Sequence, residues 1–307
     1  MIWVLGLAVA GFVLWPFLAE ALRKPVDALL QADAPGDFVE LAGGATHNRW
    51  DGPEGGPVVV LIHGLTSPSY VWDAVVPGLS ALGFRVLRFD LYGRGFSDRL
   101  ITRGNTDRYV DQLDGLLEAL GVRARVSLIG YSMGARIAVE FAAKDANRVE
   151  HLCLVAPAGL THAISPTDRV ARDFLGLGDW YCRALGVYRQ RKTIRAQSQG
   201  SAVDGIEARL LAETKLRGTA PAILADLRDV LRDTDVAEHR VVQRASVPVA
   251  AVFGRRDVVI PIISAQQLAD WNPDADIVII EGAGHGLLHT HPDAVVDAFA
   301  RLSDDFL

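Results

Sequence analysis

Six runs dominated by Val, Ile and Leu alternate with helix-like segments along most of this chain, and that alternation restricts the fold more than any other feature. The runs are Val58 to His63, Arg85 to Asp90, Arg125 to Gly130, Val149 to Ala156, Val247 to Gly254 and Asp276 to Glu281. Helical patterns fall between them at Ser69 to Leu82, Thr106 to Leu120, Met133 to Lys144 and Ser264 to Trp271, with a last one at Pro292 to Leu302. In Thr106 to Leu120 the apolar positions Val110, Leu113, Leu116, Leu117 and Leu120 repeat at the helical period. Continuous apolar strands separated by helices specify a mainly parallel sheet with helices on both faces. Two shorter runs, Asp37 to Leu41 and Ala45 to Trp50, flank the turn residues Gly43-Gly44 and predict an antiparallel edge. The expected α/β fold is therefore a mostly parallel, eight-stranded sheet.

Between Pro157 and Ser246 the alternation stops. A segment that long is too large for a loop in a compact domain. Its clearest helical pieces are Asp168 to Leu175, Glu207 to Leu216 and Ala222 to Leu231, so it reads as a helical cap over about 158–245, inserted between two strands. A chain of 307 residues, half of them hydrophobic, buries a core large enough for one such domain over 37–307. The net charge of −6, with Arg and Asp scattered along the chain, supplies no basic stripe and argues against nucleic acid as a partner. Cys153 and Cys182 form neither a disulfide framework nor a zinc-spaced set.

The N-terminus, 1–22, is set apart. Ile2 to Ala19 carries no charge, Trp3 and Trp15 stand near its ends, and Arg23 and Lys24 follow. As a helix it spans about 27 Å, close to the ~30 Å hydrocarbon core of a bilayer. A single membrane anchor is expected, with a linker over 23–36. Leu22 to Gln31 reads equally as an interfacial amphipathic helix or a plain linker helix. The basic flank places the remaining domain on the cytoplasmic side by the positive-inside rule. The alternative is a signal peptide cleaved near Ala19-Glu20-Ala21, giving a secreted or periplasmic protein, although the positive n-region of such peptides is missing.

Chemistry concentrates at the ends of the apolar runs, where an open α/β sheet forms its ligand crevice. Ser132 lies in Gly-Tyr-Ser-Met-Gly (130–134), directly after one run and directly before a helix, which is the context of a nucleophile elbow. Asp257, in Phe-Gly-Arg-Arg-Asp, follows another run, and His285, in Gly-Ala-Gly-His-Gly, follows the last. The order Ser, Asp, His suits a hydrolytic triad: Ser132 attacks a carbonyl, His285 carries the proton, and Asp257 fixes the imidazole tautomer. An oxyanion hole requires two backbone donors, for which the N–H groups of Met133 and Leu65 are the candidates.

Neighbouring polar residues have other readings. His63 reads as a hydrogen-bonding support behind the oxyanion loop, and Asp90 to Ser97 as a glycine-rich turn beneath the site. His289 and His291 crowd the loop of His285, but no Cys or carboxylate cluster there completes a metal site. Asp226, Asp229 and Asp233 read as a solvated helix face.

Taken together, Leu-Ile-His-Gly (61–64), Asp-Leu-Tyr-Gly-Arg-Gly-Phe-Ser-Asp (90–98), Gly-Tyr-Ser-Met-Gly, Gly-Arg-Arg-Asp and Gly-Ala-Gly-His resemble the α/β-hydrolase superfamily over about 37–307. The resemblance implies a cofactor-free hydrolase whose cap forms much of the substrate pocket. A serine nucleophile departs from the haloalkane dehalogenases and epoxide hydrolases. The N-terminal segment, Gly-Tyr-Ser-Met-Gly and Cys153-Leu-Val-Ala-Pro-Ala-Gly-Leu160 look like the membrane-anchored monoacylglycerol lipases, implying a lipid-like ester substrate and a membrane partner. Gly-Arg-Arg-Asp and Gly-Arg-Gly-Phe-Ser are also similar to the serine C–C hydrolases of aromatic ring-fission products, which often carry Trp after the catalytic His where this chain has Gly286. Perhydrolysis with the same triad, and a non-catalytic binding protein on the same fold, are the other readings.

Overall fold

A computed structural model describes residues 1–99, 106–161 and 163–303. Among them eight strands form one sheet: β1 (Asp37–Leu41), β2 (Gly44–Asp51), β3 (Val58–Ile62), β4 (Arg85–Phe89), β5 (Val126–Tyr131), β6 (Val149–Val155), β7 (Val249–Gly254) and β8 (Asp276–Ile280). Their spatial order is β1-β2-β4-β3-β5-β6-β7-β8. β1 pairs antiparallel with β2 and β2 antiparallel with β4, while every pair from β4 to β8 is parallel. The central strands are buried along nearly their whole length, as continuous Val/Ile/Leu runs require when helices cover both faces.

The winding reverses at β3, which has β4 on one side and β5 on the other. Such a switch point opens a crevice at the carboxyl ends of the two strands concerned. Here it sets Ile62 opposite Gly130, so the segments leaving β3 and β5 emerge side by side. The helix Met133–Lys144 then presses against the sheet. A Cβ on Gly134 would overlap the carbonyl oxygens of Ile62 and His63, so only glycine permits that approach.

One expected helix is interrupted. Ser69 to Leu82 divides into a 3₁₀ turn, Ser69–Trp72, and a short helix, Val76–Ala81. Pro77 lacks an N–H and is tolerated only in a first helical turn, so the helix restarts just before it.

Between β6 and β7 the helices Pro166–Asp173, Leu177–Tyr181, Val187–Gln197, Ile206–Glu213, Thr219–Arg228 and Val236–Arg244 intervene, with a π-helical turn at Cys182–Gly186. Residues 177–197 and 236–244 supply further helices of the expected helical cap, outside the three pieces that stand out most clearly in the sequence. In 177–197 the apolar positions are broken by Gly178, Gly186 and the basic run Arg189 to Lys192, which masks the helical period.

The N-terminal helix, Ile2–Ala21, is long and apolar enough to cross a membrane and is almost entirely exposed, with only Pro16 and Glu20 buried.

Candidate active site

Ser132 occupies the sharp turn between β5 and the helix Met133–Lys144, with φ 53° and ψ −115°. A non-glycine residue at positive φ is strained and persists only where its surroundings over-determine it. Several bonds do so: the Ser132 N–H donates to the carbonyl of Val155 at 2.9 Å, and its own carbonyl accepts from the amides of Ala135 and Ala158, each at 3.0 Å. Gly130 completes the turn, since a Cβ there would strike the backbone of Ala135.

The structure brings the three nominated side chains together. His285 Nε2 lies 3.2 Å from Ser132 Oγ, and His285 Nδ1 lies 2.8 Å from Asp257 Oδ2. The other Asp257 oxygen accepts from the amides of Val259, at 2.7 Å, and Ile260, at 2.9 Å. The Asp257 carboxylate thereby fixes Nδ1 as the protonated nitrogen and leaves Nε2 free to accept from the serine hydroxyl. Tyr131 contributes a support that sequence reasoning missed. Its hydroxyl donates to the carbonyl of His285 at 2.9 Å, and its ring lies 5.4 Å from the imidazole. Its only signal was adjacency to Ser132.

Leu65 and Met133 flank Ser132. Met133 opens the helix after the serine, and Leu65 lines the same cavity as Ser132 and His285. Gly64 passes close enough that a Cβ would crowd the Tyr131 ring and the Ser132 Cβ at 3.2 and 3.3 Å. Beneath it, His63 is fully buried. Its Nε2 accepts from the Leu91 amide at 2.8 Å, and its Nδ1, 2.8 Å from the Gly64 carbonyl, carries the proton. Burial pushes this imidazole down to about 4, because the dry interior disfavours its charged form. His63 stays neutral and braces the loop.

The turn after β4 is built around Asp90, which accepts from the Ser69 amide at 2.8 Å, the Phe96 amide at 3.0 Å and His47 Nδ1 at 2.8 Å. Burial alone would raise this carboxyl, but those bonds and the His47 charge hold it well below the ordinary carboxylate range. Ser97 Oγ donates to the Asp90 carbonyl at 2.6 Å.

One reading of the cap acids is overturned. Asp226 is not solvated: it is wholly buried and paired with Arg94 and Arg108, and it accepts from the Tyr109 hydroxyl at 2.9 Å. Its helix faces the sheet domain at this point, so the carboxylate needed partners there. Arg94, also missed, donates from Nε to the Leu65 carbonyl at 2.9 Å. A lone arginine between two turn glycines was its sequence signal.

A cavity of about 370 Å³ adjoins the site. Its walls are largely cap residues, among them Val187, Ile194, Leu224, Leu227 and Leu231, with Gln190 and Gln197 as polar interruptions. His289 also lines it, but burial lowers its imidazole to about 4, and it bonds neither Ser132 nor Asp257. His291 lies 2.9 Å from the Thr290 hydroxyl. Among the described residues no cluster of three or more His, Cys, Asp or Glu side chains is placed to hold a metal ion.

With the elbow, the sheet order and the cap in view, the chain belongs to the α/β-hydrolase fold family, which matches residues 57–292. It is 30% identical over 257 residues to a pimeloyl-[acyl-carrier protein] methyl ester esterase of Nitrosomonas europaea, covering 80% of this chain and 96% of that one. Two solved structures share its fold. A thermophilic esterase from Thermogutta terrifontis superposes with a TM-score of 0.72 at 21% identity, covering 89% and 99% of the two chains. A meta-cleavage product hydrolase from Pseudomonas fluorescens does so at 0.71 and 20%, covering 88% and 98%.

Proposed function

We propose that the chain is a serine carboxylic-ester hydrolase that acts on lipid-like acyl esters, such as a monoacylglycerol, through an acyl-enzyme on Ser132. The observation that carries this reading is the Ser132, His285, Asp257 relay, with contacts of 3.2 and 2.8 Å, at the wall of a largely apolar cavity. Ser132 Oγ attacks the ester carbonyl while its proton passes to His285 Nε2. The amides of Leu65 and Met133 receive the oxyanion, each donor contributing on the order of 3 kcal/mol. The proton then leaves with the alcohol, and a water activated by the same imidazole releases the acid. Cavity walls of Val187, Ile194 and Leu224 suit an acyl chain, since each buried methylene contributes about 0.8 kcal/mol. The Nitrosomonas relative, named as a methyl ester esterase, supports ester chemistry. The exposed N-terminal helix supports a site of action at a membrane.

The test is fluorophosphonate labelling of the full chain, followed by turnover of p-nitrophenyl esters of graded acyl length. Labelling is expected at Ser132, turnover is expected to favour longer chains, and Ser132→Ala should lower it by about 10⁴-fold or more. Undiminished turnover in that variant removes the nucleophile. A preference for acetate removes the lipid-like substrate, and hydrolysis of vinylogous diketones but not esters would replace the reading by C–C cleavage.

A further inference from the structure

The N-terminal helix is fastened to the cap along its C-terminal half. Phe12 packs on Trp180 with ring centroids 4.9 Å apart, and the Trp180 indole N–H donates to the Phe12 carbonyl at 3.2 Å. Further along, the Arg183 guanidinium lies over the Phe17 ring, 5.0 Å from its centroid. Glu20 Oε1 accepts from the Gly218 amide at 2.7 Å, and the Arg217 amide donates to the Lys24 carbonyl at 2.8 Å. Free helix is therefore left only from Ile2 to Gly11, which at 1.5 Å per residue is about 15 Å, half of a bilayer's hydrocarbon thickness.

The cap segment that grips the helix also displays apolar side chains to solvent. Phe174, Leu175 and Leu177 are 58, 62 and 58% exposed, a few residues before Trp180 in the sequence. The same segment lines the cavity through Ala171, Tyr181 and Cys182. Residues 166–197 hold seven Arg and Lys against three Asp, a net charge of +4 in a chain whose total is −6. Arg172, Arg183, Arg189 and Arg195 are paired with Asp173, Asp179, Asp168 and Glu207, and the positive excess that remains in the segment suits an anionic lipid headgroup layer.

We infer that the helix enters a single leaflet of an anionic membrane and that Phe174, Leu175 and Leu177 sink into that same leaflet, so that substrate passes from lipid into the Ser132 cavity. This rests on the membrane site of action proposed above. Arg183, which lies over the Phe17 ring and is paired with Asp179, marks the water boundary, because hydrocarbon does not hold such a charged group. Trp15 and Trp180 then fall at the headgroup level that indole rings favour.

The test uses the full chain in phosphatidylcholine vesicles containing phosphatidylglycerol, with a fluorescent amino acid placed at Ile2 or Leu175 in turn. Lipids brominated deep in their chains should quench position 2 most strongly, and lipids brominated near the ester linkage should quench position 175. Position 2 quenched from the far interface, or position 175 not quenched at all, overturns the inference. Loss of the N-terminal label from the mature chain overturns the membrane reading itself. In parallel, the combined variant Phe174→Ser, Leu175→Ser and Leu177→Ser should keep hydrolysis of a soluble acetate ester while losing about tenfold or more on a vesicle-borne long-chain ester. Equal loss on both esters counts against the inference. Normal quenching with no ester turnover would instead sink the hydrolase reading and leave the docking intact.

Discussion

Arg94 and Asp226 are ion-paired across the seam between the sheet and the cap, both withdrawn from water. The pair is also the second contact of a relay, because Arg94 Nε holds the carbonyl of Leu65, whose own amide is assigned to the oxyanion hole. The cap thus supports the loop of Leu65, the proposed oxyanion donor.

Breaking this pair has two separable effects. Asp226→Asn leaves Arg94 and Arg108 facing a neutral group, and loss of one partner of a buried pair costs about 3–5 kcal/mol. Urea unfolding should show that loss. Arg94→Lys keeps the charge but surrenders the fork that reaches Leu65 and Asp226 together. For that variant kcat is expected to fall by about tenfold with KM little changed, a smaller loss than removal of an oxyanion donor. If kcat is unaltered, Arg94 has no positioning role.

Acid should loosen the oxyanion loop through His63. Its folded value is about 4, against 6.5 in the unfolded chain, so between those values the unfolded chain binds the extra proton. The neutral imidazole therefore contributes stability that is complete above pH 6.5 and is lost as pH falls to 4. The full swing is about 3 kcal/mol. Unfolding free energies of the wild type and His63→Gln, measured from pH 4 to 7.5, should show the wild-type advantage shrinking by about that amount at the acid end. A pH-independent difference would show that His63 does not titrate in this window.

Gly134→Ala sets two effects against each other. Alanine gains about 1 kcal/mol in an ordinary helix, but here its Cβ would overlap the backbone carbonyl of Ile62, which cannot rotate aside. Overlap wins, with an expected net destabilisation of about 1–3 kcal/mol. Gly55→Ala, which has nothing within 4 Å, is the matched control and should stay within about 0.5 kcal/mol. Equal midpoints for the two variants in chemical denaturation would show that the helix has room to move off the sheet.

The strands were legible because each central one is buried on both faces and so appears as an unbroken apolar run. The break between Ser69–Trp72 and Val76–Ala81 was written in Pro77, yet hidden inside an apolar stretch that suits one continuous helix. Ser132, Asp257 and His285 each carry a local mark, a glycine-framed turn at a strand end. Asp226 carries none. Its spacing with Asp229 and Asp233 imitates a wet helix face, and the arginine that buries it stands far upstream at Arg94. Tyr131 was equally silent, since its bond is to a backbone carbonyl of a distant loop.

The lobe that follows β6 leaves the carboxyl edge of the sheet near Gly159 and returns beside it at Asp235, whose amide bonds the Gly159 carbonyl at 3.0 Å, so it occupies one gap before the helix Val236–Arg244 carries the chain back to the start of β7. A different lobe can be grafted at that gap without moving the strand ends that carry residues 132, 257 and 285. New selectivity can then arrive by wholesale exchange, with one condition attached. Any replacement must bring an acid to the place of Asp226, or it inherits a stranded guanidinium directly under the loop it is meant to serve.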